Sequence, residues 1–137
     1  MDRLRERLEI ASKALATFRA ALAEPATSMN RDASIQRFEY SYEAVWKAAQ
    51  LWLRTVENLE LASPTAVTRA CFQSGLLDGG QASSALLMAR DRNLTVHTYN
   101  EDLANQIYSR LSGHAGLMEH WLAAMAAKPP AQAAGPM

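Results

Sequence analysis

The sequence predicts an all-α protein, a four-helix up-and-down bundle with one short additional helix in a connection. Three observations carry that prediction. Apolar residues recur at steps of three and four along most of the chain. No stretch shows the apolar-polar alternation of period two that marks a half-buried strand. Pro25, Pro64, Gly75 and the Gly79–Gly80 pair punctuate the periodic stretches where connections would fall.

The first helix is drawn by Leu4, Leu8, Ala11, Leu15, Phe18 and Leu22, at steps of 4, 3, 4, 3 and 4 that share one stripe. It should stop near Glu24, because Pro25 disfavours helical geometry in the residue before it. The polar run ATSMNRD reads as a connection, with Asp32 or Ser34 as N-cap of the second helix. There Phe38, Tyr42, Val45, Ala49, Trp52, Val56 and Leu59 keep a 4-3 alternation and make a continuous apolar seam. Ser63 before Pro64 is a cap followed by a first-turn proline, opening a short helix that runs to about Ser74, with Gly75 as a left-handed stop. Gly79 and Gly80 mark a further break.

From Gln81 the run QASSALLMARDRN is rich in helix formers, and the β-branched and aromatic residues of NLTVHTY should end that helix. Asn100 ahead of Glu101 and Asp102 is a cap followed by acidic residues that the helix dipole favours. Leu103, Ile107, Leu111, Ala115, Met118, Leu122 and Met125 stripe the last helix. Trp46, Trp52 and Met118 read as core or subunit interface rather than as a cofactor site. The bundle therefore occupies residues 1–127, and the Ala/Pro-rich segment 128–137 reads as a disordered tail.

Composition narrows the function. The 137 residues are 49% hydrophobic and carry 14 basic against 14 acidic residues. A chain this long buries roughly two-thirds of its unfolded surface and needs no metal or disulfide staple. The single Cys71 rules out an intrachain disulfide framework, three histidines make structural zinc unexpected, and a reducing, cytoplasmic home fits both. MDRLRERLEI lacks the apolar core of a secretion signal, and no segment approaches the roughly 20 apolar residues of a membrane span. A net charge of zero argues against a globally basic nucleic-acid binder and leaves room for a local arginine-rich site. If RNA is bound, it is met at a small patch.

The densest reactive cluster is RDRNLTVHTY, with Arg90, Asp91, Arg92, Asn93, His97 and Tyr99 within ten positions. Arg92 and His97 are five residues apart, roughly 140° on a continuous helix, so either the helix ends between them or another chain completes the site. An imidazole exchanges protons near neutral pH and a guanidinium can brace two phosphate oxygens, a pairing suited to phosphodiester chemistry without a metal. The competing reading makes Arg90 and Arg92 helix-end cations, with His97 and Tyr99 packing a loop. On spacing alone that second reading weighs slightly more.

RNLTVHTY resembles the Arg, four residues, His, any residue, Tyr motif of the HepT-like branch of the HEPN superfamily, also described as nucleotidyltransferase substrate-binding proteins. QRFEYSYEAVWKAAQLWL, from Gln36 to Leu53, is similar to that family's aromatic second-helix block, and SPTAVTRACFQSGLL, from Ser63 to Leu77, to its short third helix. The resemblance spans about residues 1–126. It departs at Ala85, where the family often carries a tryptophan seven residues before the motif arginine.

The resemblance implies a homodimer whose motif residues face each other across a cleft, and a metal-independent endoribonuclease acting without a cofactor. The protein would be the toxin of a type VII-like toxin-antitoxin pair. His97 would be general base or acid, and Arg92 would stabilise charge on the phosphoryl oxygens. Asn93 would hold Arg92 or a phosphate and Asp91 would orient a neighbouring arginine, with a solvated helix residue as an equally weighted reading of each. Tyr99 would accept AMP from a partner minimal nucleotidyltransferase, the antitoxin, and the added charge and bulk would close the cleft to RNA. A different class of function, a non-catalytic substrate-binding subunit of a two-component nucleotidyltransferase, would use the same surface. Neither needs a membrane or DNA.

Elsewhere the readings are plain. His114 and His120 are six apart and read as surface or interface histidines, and Cys71 as a small buried hydrophobe. Arg90 reads as a surface salt-bridge partner. Glu39, Glu43 and Lys47 read first as an i,i+4 ladder, and the resemblance of the FEYSYE block adds bracing of the dimer or the cleft as the second reading. The apolar seams exceed what one bundle needs to hide, which favours a twofold dimer.

Overall fold

Each predicted stripe becomes the buried face of a helix in the computed structural model, which describes residues 2–128. Helix α1 spans Asp2–Leu22, α2 Ser28–Glu57, α3 Pro64–Gln73, α4 Gly79–Leu94 and α5 Glu101–Ala127, and a single 3-10 turn, Thr95–His97, separates α4 from α5. No strand occurs among the described residues. The tail reading for residues 129–137 lies outside them.

Helix directions follow from the cross-links. Arg37 on α2 donates to the Thr17 carbonyl of α1 at 2.8 Å, and Thr17 also meets Tyr40, so these helices run antiparallel. Helix α5 runs parallel to α2. Arg31 of α2 pairs with Glu101 and Asn105, the Phe38 ring stacks on His114 at 5.3 Å, and Trp52 donates to the Lys128 carbonyl at 3.1 Å. Helix α4 is antiparallel to both, through Thr95 to Glu39 and Asp91 to Arg110. The result is an up-and-down bundle with α3 laid across the α2–α4 connection.

Leu4, Ala11, Leu15 and Phe18 of α1, Phe38, Tyr42, Val45, Ala49 and Trp52 of α2, and Ile107, Leu111, Ala115, Met118 and Met125 of α5 form one core. The seams are thus consumed inside a single bundle, so they leave no surplus to argue for a dimer. Apart from Leu59, the large apolar residues that stay outside are not seam residues, among them Phe72, Leu87 and Val96.

Several boundaries move, each for a local reason. Helix α1 ends at Leu22, and the Asn30 carboxamide reaches back to the carbonyls of Ala21 at 2.9 Å and Pro25 at 3.2 Å. Thr27, in extended geometry, accepts from the Asn30 amide at 3.0 Å and caps α2, so Asp32 and Ser34 lie inside that helix rather than at its start. Arg31 can then sit buried against Glu101, a position that polar patterning disguised as a connection.

At the far end Asn58 turns left-handed (φ 58°), which takes Leu59 off the seam and leaves it half exposed. Gly75, at φ 86°, closes α3 as expected, with the Leu76 amide on the Cys71 carbonyl at 2.9 Å. Gly79 and Gly80 do not break the chain. Asp78 and Gln81 exchange hydrogen bonds of 2.8 Å in a capping box, and the two glycines form the first turn of α4.

Candidate functional site

The motif lies where α4 runs out. Leu94 is the last helical residue, and the Thr95 hydroxyl turns back on the Arg92 carbonyl at 2.7 Å while also meeting the Glu39 carboxylate. A 3-10 turn carries His97 outward, and the Asn100 amide, bonded to the His97 carbonyl at 3.0 Å, begins the cap of α5. The helix therefore ends between Arg92 and His97, one of the two alternatives that their spacing left open.

His97 and Tyr99 stand together on the surface. The Tyr99 hydroxyl is 3.5 Å from His97 Nδ1, at the outer limit of a hydrogen bond, and the rings meet edge to face with centroids 6.0 Å apart. Tyr99 is 86% exposed and so lies open to a second protein. This pair does not pack a loop. Val96, next to His97 in the chain, is 65% exposed, and Leu87, a turn and a half before Arg92 on α4, is 57% exposed.

Arg92 is held from α2. Its Nη2 lies 3.8 Å from the Glu43 carboxylate, which also pairs with Lys47 at 3.7 Å. The contact of Arg92 is long and partly solvated, leaving the guanidinium free to exchange Glu43 for another anion. Arg92 Nε and the neighbouring Tyr42 hydroxyl are buried without a hydrogen-bond partner among the described residues. Burial pushes the Tyr42 phenol far above its ordinary value, with Glu43 adding to the effect and Arg92 opposing it, so both groups are unpaired donors enclosed by protein. Glu39 and Glu43 reach the end of α4 through Thr95 and Arg92, while Glu43 also makes the i,i+4 pair with Lys47 that their spacing predicts.

Asp91 faces the other way. It is 3% exposed, accepts from Arg110 Nε at 2.8 Å and Nη2 at 2.7 Å, and lies 2.7 Å from His114 Nε2. Burial alone would raise its carboxyl, but the hydrogen bonds from Arg110 and His114 outweigh that and hold it below the ordinary carboxylate range. Asp91 thus positions an arginine, as its place in the cluster suggested, but the arginine is on α5. His114 is buried in this linkage rather than exposed, and the i,i+4 spacing of Arg110 and His114 was the overlooked signal.

Asn93 is exposed, and no side-chain hydrogen bond joins it to Arg92 among the described residues. Arg90 is exposed and makes no ion pair among them. His120 is exposed, as expected. Ala85 is fully buried, so neighbouring side chains have closed over the position where a tryptophan is frequent. Cys71 is buried too, and burial pushes its thiol up to about 11.

Among the described residues no three His, Cys, Asp or Glu side chains converge to hold a metal ion, and no helix is long and apolar enough to cross a membrane. Residues 6–127 match the family model described as nucleotidyltransferase substrate binding protein like. The chain belongs to that family. This is the HepT-like, HEPN-type family that RNLTVHTY resembles. A crystal structure of a protein from Thermus thermophilus is similar to this family member, with 51% identity over 84% of this chain and 98% of that one and a TM-score of 0.81. Comparison with curated proteins gives no match.

Proposed function

We propose that the protein is a metal-independent endoribonuclease toxin, silenced when a partner minimal nucleotidyltransferase transfers AMP to Tyr99. The observation that supports this reading is the exposed pairing of Tyr99 with His97, five residues after an arginine whose only ion pair among the described residues, to Glu43, is 3.8 Å long. In RNA cleavage the 2′-hydroxyl attacks the adjacent phosphorus as the His97 imidazole takes its proton, and the 5′-oxygen of the following nucleotide leaves with a proton. The products are a 2′,3′-cyclic phosphate and a 5′-hydroxyl end.

Arg92 neutralises charge on the non-bridging oxygens in the transition state, exchanging Glu43 for phosphate. One imidazole cannot be base and acid at the same instant, so the reading calls for a twofold dimer in which the second His97 protonates the leaving oxygen. Exposed Val96 beside His97 and exposed Leu87 on α4 are apolar side chains available to such an interface. Asn93, exposed beside Arg92, is available to a bound strand or to the partner subunit.

A second reading, favoured by the family's description, is a non-catalytic subunit that presents substrate to a separate nucleotidyltransferase chain in the cytoplasm. Incubation of purified protein with single-stranded RNA, beside the His97→Ala variant, separates the two. The enzyme reading expects cleavage that falls at least 100-fold in the variant, following the size of general acid-base contributions. Intact RNA with both proteins overturns it in favour of the second.

A further inference from the structure

A cavity of about 520 Å³ lies away from the motif, between the start of α1, the second half of α2 and the loop that follows it. Four cations reach it: Arg3 and Arg7, four residues apart on one face of α1, with Lys47 and Arg54 on α2. Among the described residues, Glu60 is the only acidic one in its lining. Leu51, Leu59 and Leu61 supply an apolar wall, which the left-handed turn at Asn58 creates by carrying Leu59 off the α2 seam. In a chain of zero net charge this is a strong local excess of one sign.

The cations are available. No ion pair holds Arg3 or Arg7 among the described residues, while Lys47 to Glu43 and Arg54 to Glu60 are both 3.7 Å apart and solvent-exposed, contacts that give way cheaply to a phosphate. One carboxylate links a cation of the cavity to the motif arginine. Glu43 sits between Lys47 and Arg92, at 3.7 Å from one and 3.8 Å from the other. From Glu43 to Arg54 the helix rises about 16 Å, the length of roughly five stacked nucleotides.

We propose that this cavity is a second binding site, one that grips the phosphates and a base of single-stranded RNA several nucleotides from the bond cut at Arg92 and His97. A base lies on the leucine wall while Arg3, Arg7, Lys47 and Arg54 hold the flanking phosphates. A polyglutamate chain would meet the same cations but has no planar apolar body for that wall. The identity of the bound chain rests on the ribonuclease reading, whereas the charge and shape of the site do not.

The test is fluorescence anisotropy with a fluorescein-labelled single-stranded oligoribonucleotide, carried out in the His97→Ala background so that the probe survives. Arg3→Gln with Arg7→Gln should weaken binding at least tenfold and lower the slope of log affinity against log salt by about 1.4, two phosphates' worth for a single strand. Arg5→Gln with Lys13→Gln removes equal charge from exposed positions of α1 outside the cavity and should change neither by much. Circular dichroism checks that each variant keeps its helices.

Equal losses in both double variants, an unchanged slope in the first, or binding of polyglutamate as tight as that of RNA would overturn the proposal. If the parent protein cuts no RNA while the slope changes as expected, the ribonuclease reading falls and the cavity stands. If it cuts RNA and the slope does not move, the cavity falls alone.

Discussion

Tyr99 and His97 show how little a residue's place in the sequence says about its surroundings. Two positions apart, they would point to opposite sides of a regular helix. The 3-10 turn and the extended Asn100 cap instead set the hydroxyl 3.5 Å from the ring nitrogen. An AMP on that hydroxyl would add a phosphodiester charge of about −1 and a nucleotide's bulk over the histidine. Tyr99→Phe removes only the acceptor oxygen, so RNA cleavage should persist near the parent rate and resist the cognate nucleotidyltransferase. A cleavage assay with and without that enzyme checks this, and full silencing of the Phe variant would assign inhibition to another residue.

The motif residues were legible because their chemistry is dense. Which way each pointed was not. Asp91 and Arg92 are neighbours whose side chains serve opposite sides of α4, one buried against α5 and one facing α2. Composition cannot separate them, because that divergence is fixed by the helix packing.

Between helices, the Asp91, Arg110 and His114 linkage is the polar joint of α4 and α5. Asp91→Asn removes the charge both partners bind and leaves His114 buried beside an amide. Breaking such a linkage should cost about 3 kcal/mol, the lower end for buried pairs because Arg110 is 44% exposed. Thermal unfolding would report it as a fall of roughly 10 °C. The pH dependence has a defined sign. The folded-state carboxyl titrates below its unfolded value of about 3.9, so its contribution is complete above that pH and is lost as pH falls through the folded value. The parent should therefore lose stability below about pH 4 more steeply than the Asn variant, and equal slopes in acid melts would contradict the joint's role.

The same scale explains which boundaries the sequence revealed. Ser63, Gly75 and Asn100 act through their own side chain or backbone and were readable. The start of α2 depends on Thr27 and on Asn30 reaching back to α1, and the Gly79–Gly80 turn depends on Asp78 and Gln81 together. Those are paired arrangements, which single-residue preference does not weigh.

At the scale of the molecule, one bundle hides all of its seams but Leu59 and leaves Leu87 and Val96 exposed instead. That redistribution changes the argument for a dimer from surplus core to exposed Leu87 and Val96. Multi-angle light scattering at micromolar concentration should give twice the chain mass, and Leu87→Asp with Val96→Asp should shift it toward the monomer without loss of helicity. A monomeric mass for the parent protein would remove the second His97 from the mechanism.

The central claim, that Arg92 and His97 cut RNA without a metal, is tested most directly by analysing the ends of RNA cleaved by the parent protein in excess EDTA. The account predicts undiminished cleavage, 2′,3′-cyclic phosphate on the upstream fragment and 5′-hydroxyl on the downstream one, all lost in His97→Ala. Cleavage that requires added Mg²⁺ and leaves 3′-hydroxyl and 5′-phosphate ends would contradict it.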